Sequence, residues 1–297
     1  MVSSPIAPVS CVAACLQSWH RLKHILNLDR HMPFFTIRPT RLFALAACLL
    51  AAASLSAQAE QAAFAKLETF QASAEAAGTL VYRGNTFAQR TPTGTPLYRY
   101  ERRVLTTPKG LSASHITSDP AGRVIIAESA LVSSDYDIQR FEATNQQSGF
   151  SGSVQVSNGG RHLQYELNNN GKRSTASEDV SDPVVCGPSM FGFILKNWDV
   201  LVAGKTLPVR MLVLQDKTTY GFDLKFEKLA NGHASFTVTP SSFLIRMAIA
   251  PLRVVFDANT KTAVRYEGRV PPMEAINGKL KDLDARVEYT SVTPAYR

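Results

Sequence analysis

The chain has 297 residues, of which 45% are hydrophobic and 19% are charged, and its formal net charge is +8. That length is sufficient to build a sizeable hydrophobic core. The charge is spread along the chain without a block of five or six like charges, which excludes the footprint of a nucleic-acid-binding protein. We find no internal repeat and no low-complexity tract.

Residues 32–59 have the three parts of a secretory signal peptide. Arg38 and Arg41 form a basic start, 42–55 is an apolar run, and the small-x-small segment 57–59 follows. The apolar run is shorter than the roughly 20 residues that a membrane-spanning helix needs. We therefore predict cleavage after Ala59, periplasmic localisation and no transmembrane segment in the mature chain.

The start of the leader leaves alternatives open. Residues 1–31 fit no basic start of ordinary length, so we predict that they are an upstream mis-start and that the leader begins at Met32. An unusually long basic start is the alternative. Leu45–Cys48 also has the form of a lipoprotein acylation box, which makes an anchor at Cys48 the alternative to cleavage, although the apolar run continues past that cysteine.

Removal of the leader changes both the charge and the cysteine count. Five of the 32 basic and one of the 24 acidic residues precede Glu60, which leaves a net charge near +4. Only Cys186 remains of the four cysteines, so the mature chain has no internal disulfide even in an oxidising compartment. Its stability must therefore come from a packed core.

The mature chain reads as a short leading segment followed by one β-rich domain. Residues 60–77 are predicted to be flexible or helical, and 78–297 to form a single domain. From residue 78 onward, apolar and polar residues alternate with a period of two, and Gly, Pro, Asn or Asp interrupts the alternation about every 8–12 residues. This pattern predicts antiparallel strands in a meander.

Two apolar segments interrupt the strands. Pro188 near a start and Gly204 after an end bound apolar residues at helical spacing, which predicts one long amphipathic helix in the concavity of the sheet. Ser241 or Ser242 is expected to cap a second, short apolar helix that Pro251 ends. The predicted fold is mainly β (α+β), a strongly bent antiparallel meander forming an open half-barrel around the long helix and the short apolar element.

The sequence contains no constellation of catalytic residues. It lacks G-x-S-x-G, H-E-x-x-H and C-x-x-C motifs, and no metal site or cofactor is predicted. His115, His162 and His233 are scattered, and we interpret them as surface or hairpin residues. Cys186 precedes a helix, where a thiol pKa can fall, but a lone cysteine is more often buried and inert. We therefore expect the protein not to be an enzyme.

Six apolar residues of the two helical segments either fill a closed core or line an apolar groove in an open fold. They are Phe191, Ile194, Trp198, Phe243, Ile245 and Met247. Arg246 and Arg253 are expected to reach the rim, with their aliphatic stems on apolar surface, which would suit a fatty-acyl or phospholipid ligand. The alternative is that these arginines form surface ion pairs with Asp257 or Glu267.

Three short motifs carry a resemblance to a known family. They are the helix Lys196–Asp199 with Gly204, the segment from Pro240 and Ser241 to Leu244, and the strand Tyr266–Gly268. In these the chain resembles an uncharacterised family of exported, β-rich proteins of Gram-negative bacteria, over roughly residues 95–292. The resemblance implies no activity, because the family has none assigned.

The predicted architecture is more loosely similar to the half-barrels of LolA-type periplasmic lipoprotein carriers, although no ligand-binding residue can be carried over. We expect an exported, non-enzymatic protein that binds a lipid or another apolar ligand in envelope maintenance. The alternative is a structural or adaptor protein of the envelope, with a closed core and a protein partner.

Overall fold

The computed structural model describes residues 78–89 and 94–293, and within them it contains one large β-sheet and three short α-helices. The predicted leader, the 60–77 segment and the alternative anchor at Cys48 lie outside the described residues. None of the described helices has the length and apolar character needed to cross a membrane.

The sheet has 15 strands in the described residues. They are β1 (Thr79–Ala88), β2 (Tyr98–Thr107), β3 (Gly110–Ser118), β4 (Val124–Val132), β5 (Ile138–Asn145), β6 (Phe150–Ser157), β7 (His162–Asn169), β8 (Lys172–Asp179), β9 (Val184–Val185), β10 (Leu207–Val213), β11 (Thr218–Ala230), β12 (His233–Pro240), β13 (Leu252–Asp257), β14 (Ala263–Ile276) and β15 (Lys279–Ser291). The helices are α1 (Gly187–Lys196), α2 (Trp198–Val202) and α3 (Phe243–Ala248).

The strand order confirms the predicted meander. From one edge to the other it is β8-β7-β6-β5-β4-β3-β2-β1-β15-β14-β13-β12-β11-β10-β9. All neighbours pair in antiparallel fashion except β9 and β10, which are parallel. Because β1 pairs with β15, the two ends of the domain lie side by side in the middle of the sheet.

The sheet is open but strongly curved, as predicted. Its edges are β8 and β9, and no hydrogen-bond ladder joins them within the described part of the chain. Side chains bridge part of the gap: Lys217 Nζ donates to Ser174 Oγ at 3.1 Å, and Thr218 Oγ1 donates to Glu178 Oε2 at 3.3 Å. The β8 edge therefore curls toward the β10–β11 connection, which gives a barrel-like shape.

The two helices α1 and α2 occupy the concave side of the sheet. Their apolar residues belong to one buried cluster with inward-facing residues of β1 to β3 and of β10 to β15. The predicted single helix is divided at Asn197, whose backbone leaves the helical region (φ −95°, ψ 15°). Asn197 Nδ2 donates to the Phe193 carbonyl at 2.9 Å, which is the side-chain competition that makes Asn a poor residue in helix interiors.

The short helix α3 lies outside the barrel rather than within it. It follows Ser242, one of the two predicted caps, but the Ser242 side chain makes no capping hydrogen bond. Phe243 and Met247 are 67% and 62% exposed. The predicted short apolar element thus exists, but it is not part of the buried interior, because it connects two adjacent antiparallel strands at one end of the sheet.

The β14–β15 hairpin bends over the same end of the barrel. Its register shifts between Val270 and Met273, around two consecutive prolines. Beyond the bend the Met273 amide donates to Gln147 Oε1 at 2.9 Å, and Asn145 Nδ2 donates to the Pro271 carbonyl at 3.3 Å. The hairpin is therefore attached to the β5–β6 turn on another part of the barrel.

Candidate functional site

A row of polar side chains crosses the concave face on β1 to β4. Tyr82 lies opposite Arg102, Arg102 opposite His115, and His115 opposite Glu128. Directly opposed residues of antiparallel strands project to the same face. The strand register therefore brings four residues that are distant in sequence into one line beneath the start of α1.

Arg102 holds this row against α1. Its side chain is buried, and its Nη1 donates both to His115 Nε2 and to the Pro188 carbonyl, each at 2.7 Å. Since Nε2 accepts that bond, the imidazole proton resides on Nδ1, which faces Glu128 Oε2 at 3.9 Å. The arrangement is a chain of arginine, neutral imidazole and carboxyl group.

Burial moves the pKa values of this row in opposite directions. Desolvation, with a smaller contribution from the Arg102 charge, holds the pKa of His115 well below its usual range, so the imidazole is neutral at pH 7. Desolvation also raises the pKa of Glu128 to about 7. Because this pKa is close to neutral pH, the carboxyl group is partly protonated there. The Glu128 side chain is 14% exposed.

The surroundings of the row are aromatic. The Tyr100 ring meets His115 edge-on with centroids 4.8 Å apart, and Tyr289 lies 5.5 Å from Tyr100 and 5.6 Å from Phe191. Desolvation raises the pKa of both Tyr100 and Tyr289 well above the usual range. The Tyr100 hydroxyl is buried and has no hydrogen-bond partner among the described residues. The interior is thus poorly solvated.

Cys186 confirms the expectation of a buried thiol. Its side chain is 1% exposed, and desolvation raises the pKa of the thiol to about 12. Sγ lies 3.5 Å from Ser189 Oγ at the start of α1. The thiolate, which is the reactive form, is therefore strongly disfavoured at neutral pH. Within the described residues no group of three His, Cys, Asp or Glu side chains could hold a metal ion.

Little empty space remains between α1 and the sheet. A cavity of about 40 Å³ lies along α1, bordered among others by Arg102, Phe191 and Leu195. This volume accommodates a few water molecules at most, whereas ligand pockets typically measure about 300–1,000 Å³. A larger hollow of about 480 Å³ is lined by outward-facing residues of β2 to β5, including Leu131 and Arg140, and by Lys109 in the β2–β3 turn.

The predicted groove residues do not come together on one surface. Phe191, Ile194 and Trp198 are buried in the core, at 4%, 0% and 8% exposure, whereas Phe243 and Met247 project from α3. Ile245 is half-buried on α3. A common apolar groove lined by all six is therefore not present, because the sheet encloses one helical segment and leaves the other outside.

The two predicted rim arginines have different surroundings. Arg246 is exposed on α3. Arg253 Nη1 donates to Glu267 Oε2 at 3.0 Å, and its Nε donates to Glu227 Oε2 at 2.8 Å. The ion pair with Glu267 was the alternative expectation for Arg253, and it is confirmed; Glu227 is an additional partner.

The interior polar row is the part of this site that sequence reasoning missed. His115 was interpreted as a surface or hairpin residue; that interpretation was wrong, since it is 6% exposed. A signal was available in the strand parity. Arg102 is two residues from Val104 on β2, and His115 is two residues from Ala113 on β3, so each polar residue shares a strand face with an apolar one. All four face the interior.

Comparison with solved structures finds a similar β-barrel-like fold. No protein-family model matches the chain, and no curated protein matches it. A solved structure of a β-barrel-like protein of a domain of unknown function, DUF1849, from Brucella abortus is similar with a TM-score of 0.42 and 7% sequence identity. The match covers 72% of this chain and 98% of that protein. So weak a likeness carries no argument about activity.

Proposed function

We propose that the protein is exported to the periplasm and acts there without catalysis, through contacts made by its outer surface. The observation that supports this most is the filled interior. Ile194 and Leu201 are fully buried on α1 and α2, and the cavity beside α1 measures only about 40 Å³. A structural or adaptor role in the cell envelope agrees with such a closed core.

The interior polar row supports the same proposal, because its polar groups are used to hold the fold. Arg102 connects β2 to β3 through His115 and to α1 through the Pro188 carbonyl. A buried cation without such partners would cost several kcal/mol. These bonds fix the position of the helix that fills the barrel, and they leave Arg102 little freedom to bind a substrate.

The competing hypothesis is a lipid carrier with an internal groove. It would require α1 and α2 to leave the concave face and expose the apolar cluster that includes Phe191, Trp198 and Phe236. At about 25 cal/mol per Å² of apolar surface, exposure of that cluster is strongly unfavourable unless an acyl chain replaces the helix. The closed-core proposal needs no such rearrangement.

Native mass spectrometry with lipid extraction tests the two hypotheses on protein purified from the periplasm. We expect the mass of the chain beginning at Glu60, without a bound lipid. A stoichiometric lipid that is released on unfolding would contradict the closed core and favour the carrier. A chain beginning at an acylated Cys48 would replace the cleaved-export prediction by the anchored alternative.

A further inference from the structure

The helix α3 exposes more apolar side-chain surface than a short connection requires. Phe243, Leu244 and Met247 are 67%, 69% and 62% exposed on this six-residue helix. Single exposed apolar residues are ordinary on protein surfaces, but a cluster of three large ones marks an interaction site. The cluster does not take part in the core, so the fold does not explain it.

A second apolar element projects from the same end of the sheet. Strands β12 and β14 are both antiparallel to β13, so their final residues lie at the same end. Helix α3 follows β12, and the tip of the β14–β15 hairpin follows β14. Ile276 and Leu280 on this tip are 37% and 46% exposed. We call α3 together with residues 275–281 the apolar end.

The charge on α3 and at the turn of the hairpin is positive. Residues 241–251 include Arg246 and no acidic residue, and the turn residues 276–280 include Lys279 and no acidic residue, whereas Lys281 lies directly opposite Glu274. Arg246 and Lys279 are exposed, and within the described part of the chain neither forms an ion pair. Apolar side chains among cations are the composition that binds an anionic lipid interface.

The shape of the apolar end also favours a lipid surface over a protein groove. In the hairpin register Ile276 pairs with Lys279 and Ala275 pairs with Leu280, so Ile276 and Leu280 project from opposite faces of the tip. A rigid protein partner would need two separate recesses, one for the residue on each face. A fluid bilayer interface accepts them without complementary shape.

We propose that the apolar end docks on the surface of an anionic phospholipid bilayer. Phe243, Leu244 and Met247 enter the interface between headgroups and acyl chains, while Arg246 and Lys279 contact headgroup phosphates. This inference relies on the proposed function only for the envelope location; the closed core does not depend on it.

Co-sedimentation with vesicles tests the proposal. The wild-type protein should bind vesicles that contain phosphatidylglycerol and bind pure phosphatidylcholine vesicles much more weakly. The triple variant Phe243→Ser, Leu244→Ser, Met247→Ser should lose at least about tenfold in apparent affinity. The matched control is Leu229→Ser, because Leu229 is 64% exposed at the opposite end of the sheet, and its binding should equal that of the wild type.

The contribution of charge is measured separately. Arg246→Gln should weaken binding to the anionic vesicles by about fivefold, since each basic residue near such a surface contributes about that factor. Lys228→Gln, which removes another exposed charge at the opposite end, should leave binding unchanged. Equal losses in both variants would show a general attraction of a cationic protein and would overturn the proposal.

Other results would also overturn it. They are an absence of wild-type binding, equal binding by the triple variant, or a wild-type dimer that becomes monomeric in the triple variant without binding vesicles. The last result would make the apolar end an interface with a second copy. A lipid-free native mass combined with failed vesicle binding would overturn this inference alone and leave the proposed function standing.

Discussion

The helical segment α1–α2 and the helix α3 are similar in sequence and opposite in environment. Both are apolar stretches that contain at least one aromatic residue and lie near a proline. Trp198 in the first is 8% exposed and packs on Phe236 with centroids 5.0 Å apart, whereas Phe243 in the second is 67% exposed. Amphipathic spacing thus tells which side of a helix is apolar, but not what that side will cover.

Topology explains the difference. The parallel strands β9 and β10 are joined through α1 and α2, and a connection between parallel neighbours has to cross a face of the sheet. That path places α1 and α2 on the concave side. Helix α3 joins the antiparallel neighbours β12 and β13, whose connection can remain at the end of the sheet. The direction of one strand pair therefore decides which apolar helix is buried.

The largest expected effect comes from truncating one aromatic residue in each region. Trp198→Ala should lower the free energy of unfolding by about 3–5 kcal/mol, because it leaves a cavity against Phe236 and Phe256. Phe243→Ala should change it by less than about 0.5 kcal/mol. Urea unfolding followed by circular dichroism measures both. Similar values for the two variants would contradict the assignment of inside and outside.

The next effect concerns the bonds that fix the inner helix. Arg102→Met removes the donors to His115 Nε2 and the Pro188 carbonyl, and should lower the free energy of unfolding by about 2–4 kcal/mol. The matched control is Arg253→Met, which breaks ion pairs with Glu227 and Glu267 on the outer face and should cost about 0–1 kcal/mol. An equal cost for both would show that Arg102 does not hold α1.

A pH series separates the contributions of the inner row. Burial raises the pKa of Glu128 to about 7, so this group's contribution to stability declines as pH rises from about 4.5 to 7. The pKa of His115 is lowered, so its contribution declines as pH falls below about 6.5. Over about pH 4.5–6.5 the two groups therefore change the free energy of unfolding in opposite directions as pH rises. The wild type should show little net pH dependence of stability from this pair.

Replacing Glu128 should reveal the pH dependence of stability that comes from His115. The free energy of unfolding of Glu128→Gln minus that of the wild type should increase by about 1–2 kcal/mol as the pH rises from 5 to 7. Glu142→Gln is the control, since Glu142 is an exposed carboxylate paired with Arg140, and its difference from the wild type should stay constant over that range. A constant difference for Glu128→Gln would mean that its carboxyl group is well solvated in the folded protein.

Much of the sheet could be predicted from sequence, because alternation and turn residues are local signals. The turns between β3 and β4 and between β6 and β7 lie where Gly, Pro, Asn or Asp interrupts the alternation, and the following strands keep the expected faces. The break at Asn197 was missed because hydrophobic spacing continues across it, while one side-chain bond to a carbonyl decides the backbone geometry.

The site was harder to predict, because it depends on pairing between strands. Arg102, His115 and Glu128 share no local motif and meet only through the β2–β3–β4 register. The two-residue strand β9 is too short for a periodic signal, and yet its parallel pairing brings α1 over the concave face. Local patterns therefore predicted elements and faces, and could not predict which segment fills the barrel.

The smallest effect tests how the exposed end is supported. Gln147 makes two hydrogen bonds to Met273 of the hairpin. Its Nε2 donates to the Met273 carbonyl at 3.4 Å, and its Oε1 accepts from the Met273 amide at 2.9 Å. Gln147→Ala should lower local stability by about 0.5–1.5 kcal/mol and accelerate amide hydrogen exchange from Met273 to the hairpin tip, with global unfolding little changed. Gln139→Ala, which removes a bond to the Lys109 carbonyl, should leave exchange in the hairpin unaltered. Unchanged exchange in the Gln147 variant would mean that Gln147 does not hold the tip, which would then depend on the pairing between β14 and β15 and on the bonds from Asn145 to the Pro271 carbonyl and from the Tyr98 hydroxyl to the Met273 carbonyl.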